Sequence, residues 1–155
     1  MQSLHVLLEH ESHQRDQALA RWQQAASRAA AAQAQVQQLA DYRGEYQRRW
    51  RHEFGHGSTI QVMQCYQAFT ARLEQALAQQ QRTLQQAQAQ VERAGAALQA
   101  HELRVASVRK LIERRMVEHR RAEDRRENKR SDEAAGRAAH YGTAAWAHAS
   151  QPGAL

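Results

Sequence analysis

Residues 63–119 read MQCYQAFTARLEQALAQQQRTLQQAQAQVERAGAALQAHELRVASVRKLIERRMVEH. Mostly apolar residues recur in this stretch every seventh position: Met63, Thr70, Leu77, Leu84, Val91, Leu98, Val105, Ile112 and then His119. A second column, three residues on, reads Tyr66, Leu73, Gln80, Ala87, Ala94, His101, Val108, Arg115 and Ala122. Together they form the a/d seam of a coiled coil. A strict period of seven stays aligned only at about 3.5 residues per turn, which imposes a left-handed supercoil. A chain built mainly as long helices has little room for a buried active site, so the expected role is mechanical or adhesive.

The first 53 residues carry a weaker seam. One column is Leu8, Arg15, Trp22, Ala29, Val36, Arg43 and Trp50; the other is Leu4, Glu11, Ala18, Ala25, Ala32, Leu39 and Tyr46. Arg15 and Glu11 are poor core residues, so this helix is read as much from its Ala content and lack of breakers as from its stripe. Between the two stretches lies Gly55-His56-Gly57-Ser58. Either glycine can take the left-handed conformation that stops a helix. Ser58 followed three residues later by Gln61 makes a capping box that starts the next one. So short a connection forces antiparallel neighbours. The expected fold is all-α: a single antiparallel coiled-coil hairpin over 1–139, with helix 1 at about 3–53, a turn at 54–58 and a longer helix 2 at about 59–135. Folding about residue 56 sets Leu4 opposite roughly residue 108 and leaves the rest of helix 2 as an overhang. Residues 140–155 are expected to be a flexible tail.

Composition narrows the function. No stretch approaches the roughly 18 apolar residues of a membrane span. Met1 to Arg15 lacks the apolar core and cleavage site of a signal peptide. The one cysteine, Cys65, falls at a c position outside the seam and has no internal disulfide partner. The expected compartment is the cytoplasm. The net charge of +6 is concentrated: residues 104–130 hold eleven Lys and Arg against five Asp and Glu, the entire excess.

The register also says what the seam leaves outside. With Val36 and Arg43 as a positions, Gln35 and Tyr42 are g. With Thr70 and Leu77 as a positions, Phe69 and Ala76 are g. In an antiparallel pair the two g edges share one side, and Tyr42 and Phe69 are about equally far from the turn. They are expected side by side, flanked by Leu39, Tyr46 and Leu73 at the rim, as a solvent-facing aromatic patch. Two readings stay open here. The rings broaden a thin Ala-rich core, or they form a docking surface with Gln35 as a polar rim contact.

Catalytic signatures are absent. There is no Gly-rich phosphate loop, no His-Glu-x-x-His and no cysteine pair. His52 and His56 are spaced i, i+4, and His10 and His13 i, i+3, but no carboxylate completes a metal site. His101 and His119 read as polar residues tolerated in the seam. A thin two-helix coiled coil offers no water-excluded cleft. Neither enzyme activity nor a metal or cofactor is expected. The basic segment interleaves Glu113, Glu118, Glu123 and Glu127 with its arginines, so it is either an ordinary solvated face, a phosphate-neutralising nucleic-acid contact or a surface for an acidic protein. It lacks the interleaved aromatics of a single-strand binder, so nucleic acid is not the expected partner.

At this point the chain resembles a known family. Gln35-Val36-Gln37-Gln38-Leu39-Ala40-Asp41-Tyr42-Arg43-Gly44-Glu45-Tyr46, the Gly55-His56-Gly57 turn, Tyr66-Gln67-Ala68-Phe69 and Leu73-Glu74-Gln75-Ala76 are similar to FliJ proteins, as is Arg125-Arg126-Glu127-Asn128-Lys129-Arg130-Ser131-Asp132-Glu133. The resemblance extends to about residue 139. It implies a small component of the bacterial flagellar type III export apparatus, at the inner face of the basal body, with an antiparallel coiled coil like the central stalk of a rotary ATPase. It implies partners: the hexameric export ATPase, whose ring assembly and ATP hydrolysis such proteins promote, the cytoplasmic domain of the transmembrane export gate, and export chaperones. The gate-contacting positions it implies are Gln35, Leu39, Tyr42, Tyr46, Phe69, Leu73, Ala76 and Gln80; Gln80 departs from a histidine found in the family. Arg114, Arg115, Arg120 and Arg121 are the expected ring contacts. Three rivals stand beside this reading: the equivalent stalk of a virulence secretion system, a basic coiled-coil DNA-binding protein and a structural coiled-coil dimer.

Overall fold

The computed structural model describes residues 1–149. Two helices account for nearly all of them, α1 at Gln2–Phe54 and the longer α2 at Ile60–Ala149, which contact each other as a hairpin. No strand occurs among the described residues. The single proline is Pro152, past the end of α2, so neither helix meets a residue that lacks an amide donor.

The connection works much as its glycines suggest. Gly57 takes φ +83°, the left-handed value, and its amide donates to the Phe54 carbonyl at 3.3 Å. The cap differs from the expected one. Thr59, not Ser58, starts α2: its Oγ1 accepts from the Val62 amide at 3.3 Å, and its carbonyl accepts from the Met63 amide at 3.1 Å. The chain uses Gly57 and Ser58 to cross between the helix axes, which moves the cap one residue on. Two glycine substitutions should move stability in opposite directions. A Cβ at Gly57 would meet nothing within 4 Å, so Gly57→Ala should cost only the left-handed strain, about 1–2 kcal/mol. A Cβ at Gly95 would sit 3.5 Å from Cδ1 and Nε1 of Trp22, an ordinary contact within a helix, so Gly95→Ala should gain about 1 kcal/mol. Urea-denaturation midpoints of the two variants, falling for the first and rising for the second, check this.

The chain divides into two compact units. The larger, Leu7–Ala106, contains the turn and most of the seam. Gly95 lies against the Trp22 indole, and Arg43 donates to both carboxylate oxygens of Glu74 at 3.2 Å. Both pairs are symmetric about residues 58 and 59. Ala18, Ala25 and Ala32 of α1 are buried with Leu73, Leu77 and Val105 of α2. Small residues on α1 let the larger ones of α2 approach closely, which suits a thin core. The other α1 column lies at the edge: Val36 and Trp50 are half-buried and Trp22 is exposed. Its two arginines stay at the rim. Arg43 reaches Glu74 across the pair, and Arg15 folds onto its neighbour Asp16 at 2.8 Å. Four seam polar atoms, Glu11 Oε2, Thr70 Oγ1, Gln80 Oε1 and His101 Nδ1, are buried without a hydrogen-bond partner. Each such group costs about 1–3 kcal/mol, so these rungs lower the stability of the seam.

The smaller unit comprises Met1–Val6 and the chain from Ser107 onward. Val108 and Ile112 are buried there, and Leu4 is half-buried. Met1 shares a shallow cavity with Met116, His119 and Arg120. The expected pairing of Leu4 with residue 108 is therefore about one helical turn short. The turn is centred near residues 58 and 59 rather than 56, and each residue of displacement at the turn moves the pairing by two. Beyond Arg120, every described residue is exposed except the half-buried Ala122. The sequence places the end of helix 2 near residue 135, whereas α2 continues to Ala149. Gly136 and Gly142 keep helical backbones without positive φ, and the segment around them is rich in Ala. Residues 140–149 of the expected tail lie in this helix, and residues 150–155 fall outside the described residues.

Candidate functional site

Six aromatic residues of the larger unit meet beside the turn. Tyr42, Tyr46, Trp50 and Phe54 recur every fourth residue of α1, a spacing that stacks side chains along one strip of a helix. Tyr66 and Phe69 of α2 close against them. Tyr46 is the hub: its ring centroid lies 4.3 Å from Phe69, 5.7 Å from Tyr66, 5.9 Å from Trp50 and 6.3 Å from Tyr42. Phe54 and Trp50 complete the far side at 5.2 and 5.4 Å from Tyr66. Such offset and tilted pairs add stability beyond the area they bury.

The expected neighbours Tyr42 and Phe69 do meet, edge to face at 6.2 Å. The patch they anchor is less exposed than expected. Only Tyr42, at 48% exposure, is open to solvent; Tyr46, Trp50, Tyr66 and Phe69 are half-buried. Leu73 is a correction: at 7% exposure it is core, not rim, because the d position carries it into the seam opposite α1. Of the remaining positions expected from the resemblance to contact the gate, Gln35 is exposed, while Leu39, Ala76 and Gln80 are half-buried. The broadened core and the solvent-facing patch are thus two sides of one cluster.

Phe54, and the membership of Trp50 and Tyr66 in the cluster, go unrecognised in a heptad reading. The signal that finds Trp50 and Phe54 is the four-residue spacing Tyr42, Tyr46, Trp50, Phe54, which drifts off a strict seam near the tip. Arg48, Arg49 and His52 are also missed. They line, with Tyr42, Tyr46 and Trp50, an open cavity of about 900 Å³ beside the turn. His52 and His56 pack with ring centroids 4.8 Å apart, and His56 Nδ1 lies 2.9 Å from the His52 carbonyl oxygen. No cluster of three or more His, Cys, Asp or Glu suited to a metal occurs among the described residues.

The four arginines proposed from sequence lie in the smaller unit and are all exposed. Arg120 lines the shallow cavity beside Met1. Arg114 and Arg115 lie before Met116, which is level with Met1, and Arg120 and Arg121 lie after it. None has an ion-pair partner among the described residues. The interleaved glutamates do not lock them; the one close contact of a carboxylate with a basic side chain in that stretch is Glu123 with the His119 Nδ1, at 3.3 Å. At about 100° per residue, Arg114 and Arg121 share one face while Arg115 and Arg120 point to either side. The cationic groups therefore surround the helix instead of forming a single stripe.

Among the described residues, no helix is long and apolar enough to cross a membrane. A family model, that of the flagellar FliJ protein, matches residues 1–142. No curated protein and no solved structure matches the chain.

Proposed function

The chain belongs to the flagellar FliJ protein family, components of the flagellar export apparatus, and from that premise we propose that it is the central stalk of the export ATPase and its link to the export gate. The observation that carries the link is the aromatic cluster beside the turn, with Tyr42 open to solvent and packed against Tyr46, which meets four other rings. A preformed aromatic surface loses little entropy on docking, which favours contact there. Gln35, Leu39, Tyr42, Tyr46, Phe69, Ala76 and Gln80 form or border the proposed gate contact. Leu73 supports it from the core.

The arginines of the smaller unit serve the ring. A hexamer encloses its stalk, and a helix with cations on several faces suits a surrounding partner better than a one-sided one. Arg114, Arg115, Arg120 and Arg121 make those contacts in this reading. The protein acts without catalytic residues of its own, in the cytoplasm at the inner face of the basal body, and export chaperones are further partners. The flagellar family match speaks against the virulence stalk, and nothing specific favours DNA binding.

Binding of the full-length protein to the purified cytoplasmic domain of the export gate tests the link. Tyr42→Ala should weaken that binding by about tenfold, the loss typical of an aromatic interface residue, while helicity by circular dichroism stays at the parent value. Unchanged gate binding would remove Tyr42 from the contact.

A further inference from the structure

The cavity beside the turn has a chemistry that the aromatic contact alone does not use. It is lined by the aromatic residues Tyr42, Tyr46 and Trp50, by the charged residues Arg48, Arg49 and Glu53, and by His52, Ser58 and Thr59. Arg48 and Arg49 have no ion-pair partner among the described residues, whereas Arg43, one turn away, is spent on Glu74. The Tyr42 and Tyr46 hydroxyls and the Trp50 indole N–H likewise have no hydrogen-bond partner among the described residues. The charged side chains of the cavity are therefore two guanidinium groups without ion-pair partners against a single carboxylate. All of these groups belong to the larger unit.

From this imbalance we infer that the cavity takes a carboxylate-bearing segment of the export gate: an acidic residue held by Arg48 and Arg49, next to an apolar side chain laid on the rings. A guanidinium binds a carboxylate in forked, charge-assisted fashion, and a neighbouring π face strengthens the selection of a segment that carries both features. A purely apolar segment would leave both arginines without a charged acceptor, and a basic one would be repelled. At about 900 Å³ the cavity has room for two adjacent side chains with their backbone. The inference rests on the gate-docking reading and specifies the chemistry of that contact. It also gives Arg48 and Arg49 a role in selecting the partner that a seam analysis does not.

The test compares the full-length protein with its Arg48→Gln/Arg49→Gln variant for binding to the purified cytoplasmic portion of the export gate at low and high salt. Glutamine keeps the helix and removes only the charge. The variant should bind at least about tenfold more weakly at low salt, with an unchanged melting curve and a flatter salt dependence. A charge-reversed Arg48→Glu/Arg49→Glu variant should lose binding altogether. If both double variants bind like the parent while Tyr42→Ala does not, docking stands and the acidic-segment inference is overturned. If the parent itself fails to bind the gate, both readings fall together.

Discussion

Tyr46→Ala should destabilise the hairpin by about 2–3 kcal/mol, the larger of two effects that separate the core of the aromatic cluster from its surface. Tyr46 touches four other rings, two of them across the helix pair, with the closest centroid at 4.3 Å. Truncation removes the nearest α1 ring from Phe69, leaving it only Tyr42 at 6.2 Å, and removes one of the three α1 rings that meet Tyr66. The figure lies below that for a fully buried aromatic because Tyr46 is only half-buried. Thermal melting followed by circular dichroism should show a midpoint lower by about 5–10 °C. Tyr42→Ala is the internal control: with an exposed ring and contacts to Tyr46 and Phe69 only, it should shift the midpoint by a quarter of that or less. Equal losses for the two variants would mean that Tyr42 is as much core as Tyr46, and the docking surface would have to be sought elsewhere.

The second large effect is functional. Under the proposed stalk role, replacing Arg114, Arg115, Arg120 and Arg121 together with Gln should lower the proposed stimulation of the export ATPase by about tenfold or more. Each arginine is exposed and without an ion-pair partner among the described residues, so the folded chain does not depend on the charges. Glutamine preserves helix propensity, and helicity should stay at the parent value. Charge contacts between folded partners act on both encounter rate and lifetime, so several lost at once compound. Retained stimulation in the quadruple variant, with normal helicity, would show that the ring is engaged through other residues.

Much of this architecture is written in the spacing of residues. The seven-residue columns through Leu77, Val105 and Ile112 identify α2 and its buried face, because a helix has only one way to bury residues at that period. The glycine at 57 marks the turn for an equally local reason. What the spacing does not carry is the register between the helices. A cap at Thr59 instead of Ser58 and a turn centred two residues later move every cross-pair by about one helical turn. That displacement brings Met1 level with Met116 and leaves only Arg120 and Arg121 of the four arginines past it. The end of α2 was similarly hidden. Gly136 looks like a stop, yet a glycine ends a helix only when something beyond it rewards the left-handed turn, and the Ala-rich sequence that follows favours continuing. The candidate site was half legible. The neighbouring g positions bring Tyr42 to Phe69, but the depth of Leu73 and the cavity of Arg48 and Arg49 depend on how two helices close over a tip crowded with rings, which no single-helix periodicity records.

The most direct measurement for the stalk reading is ATP turnover by the purified export ATPase, with and without an equimolar amount of this protein, alongside the fraction of ATPase assembled as hexamer. The account expects both to rise together, with the protein co-migrating with the ring. A functional ATPase whose turnover and assembly are the same in its presence and absence would contradict it.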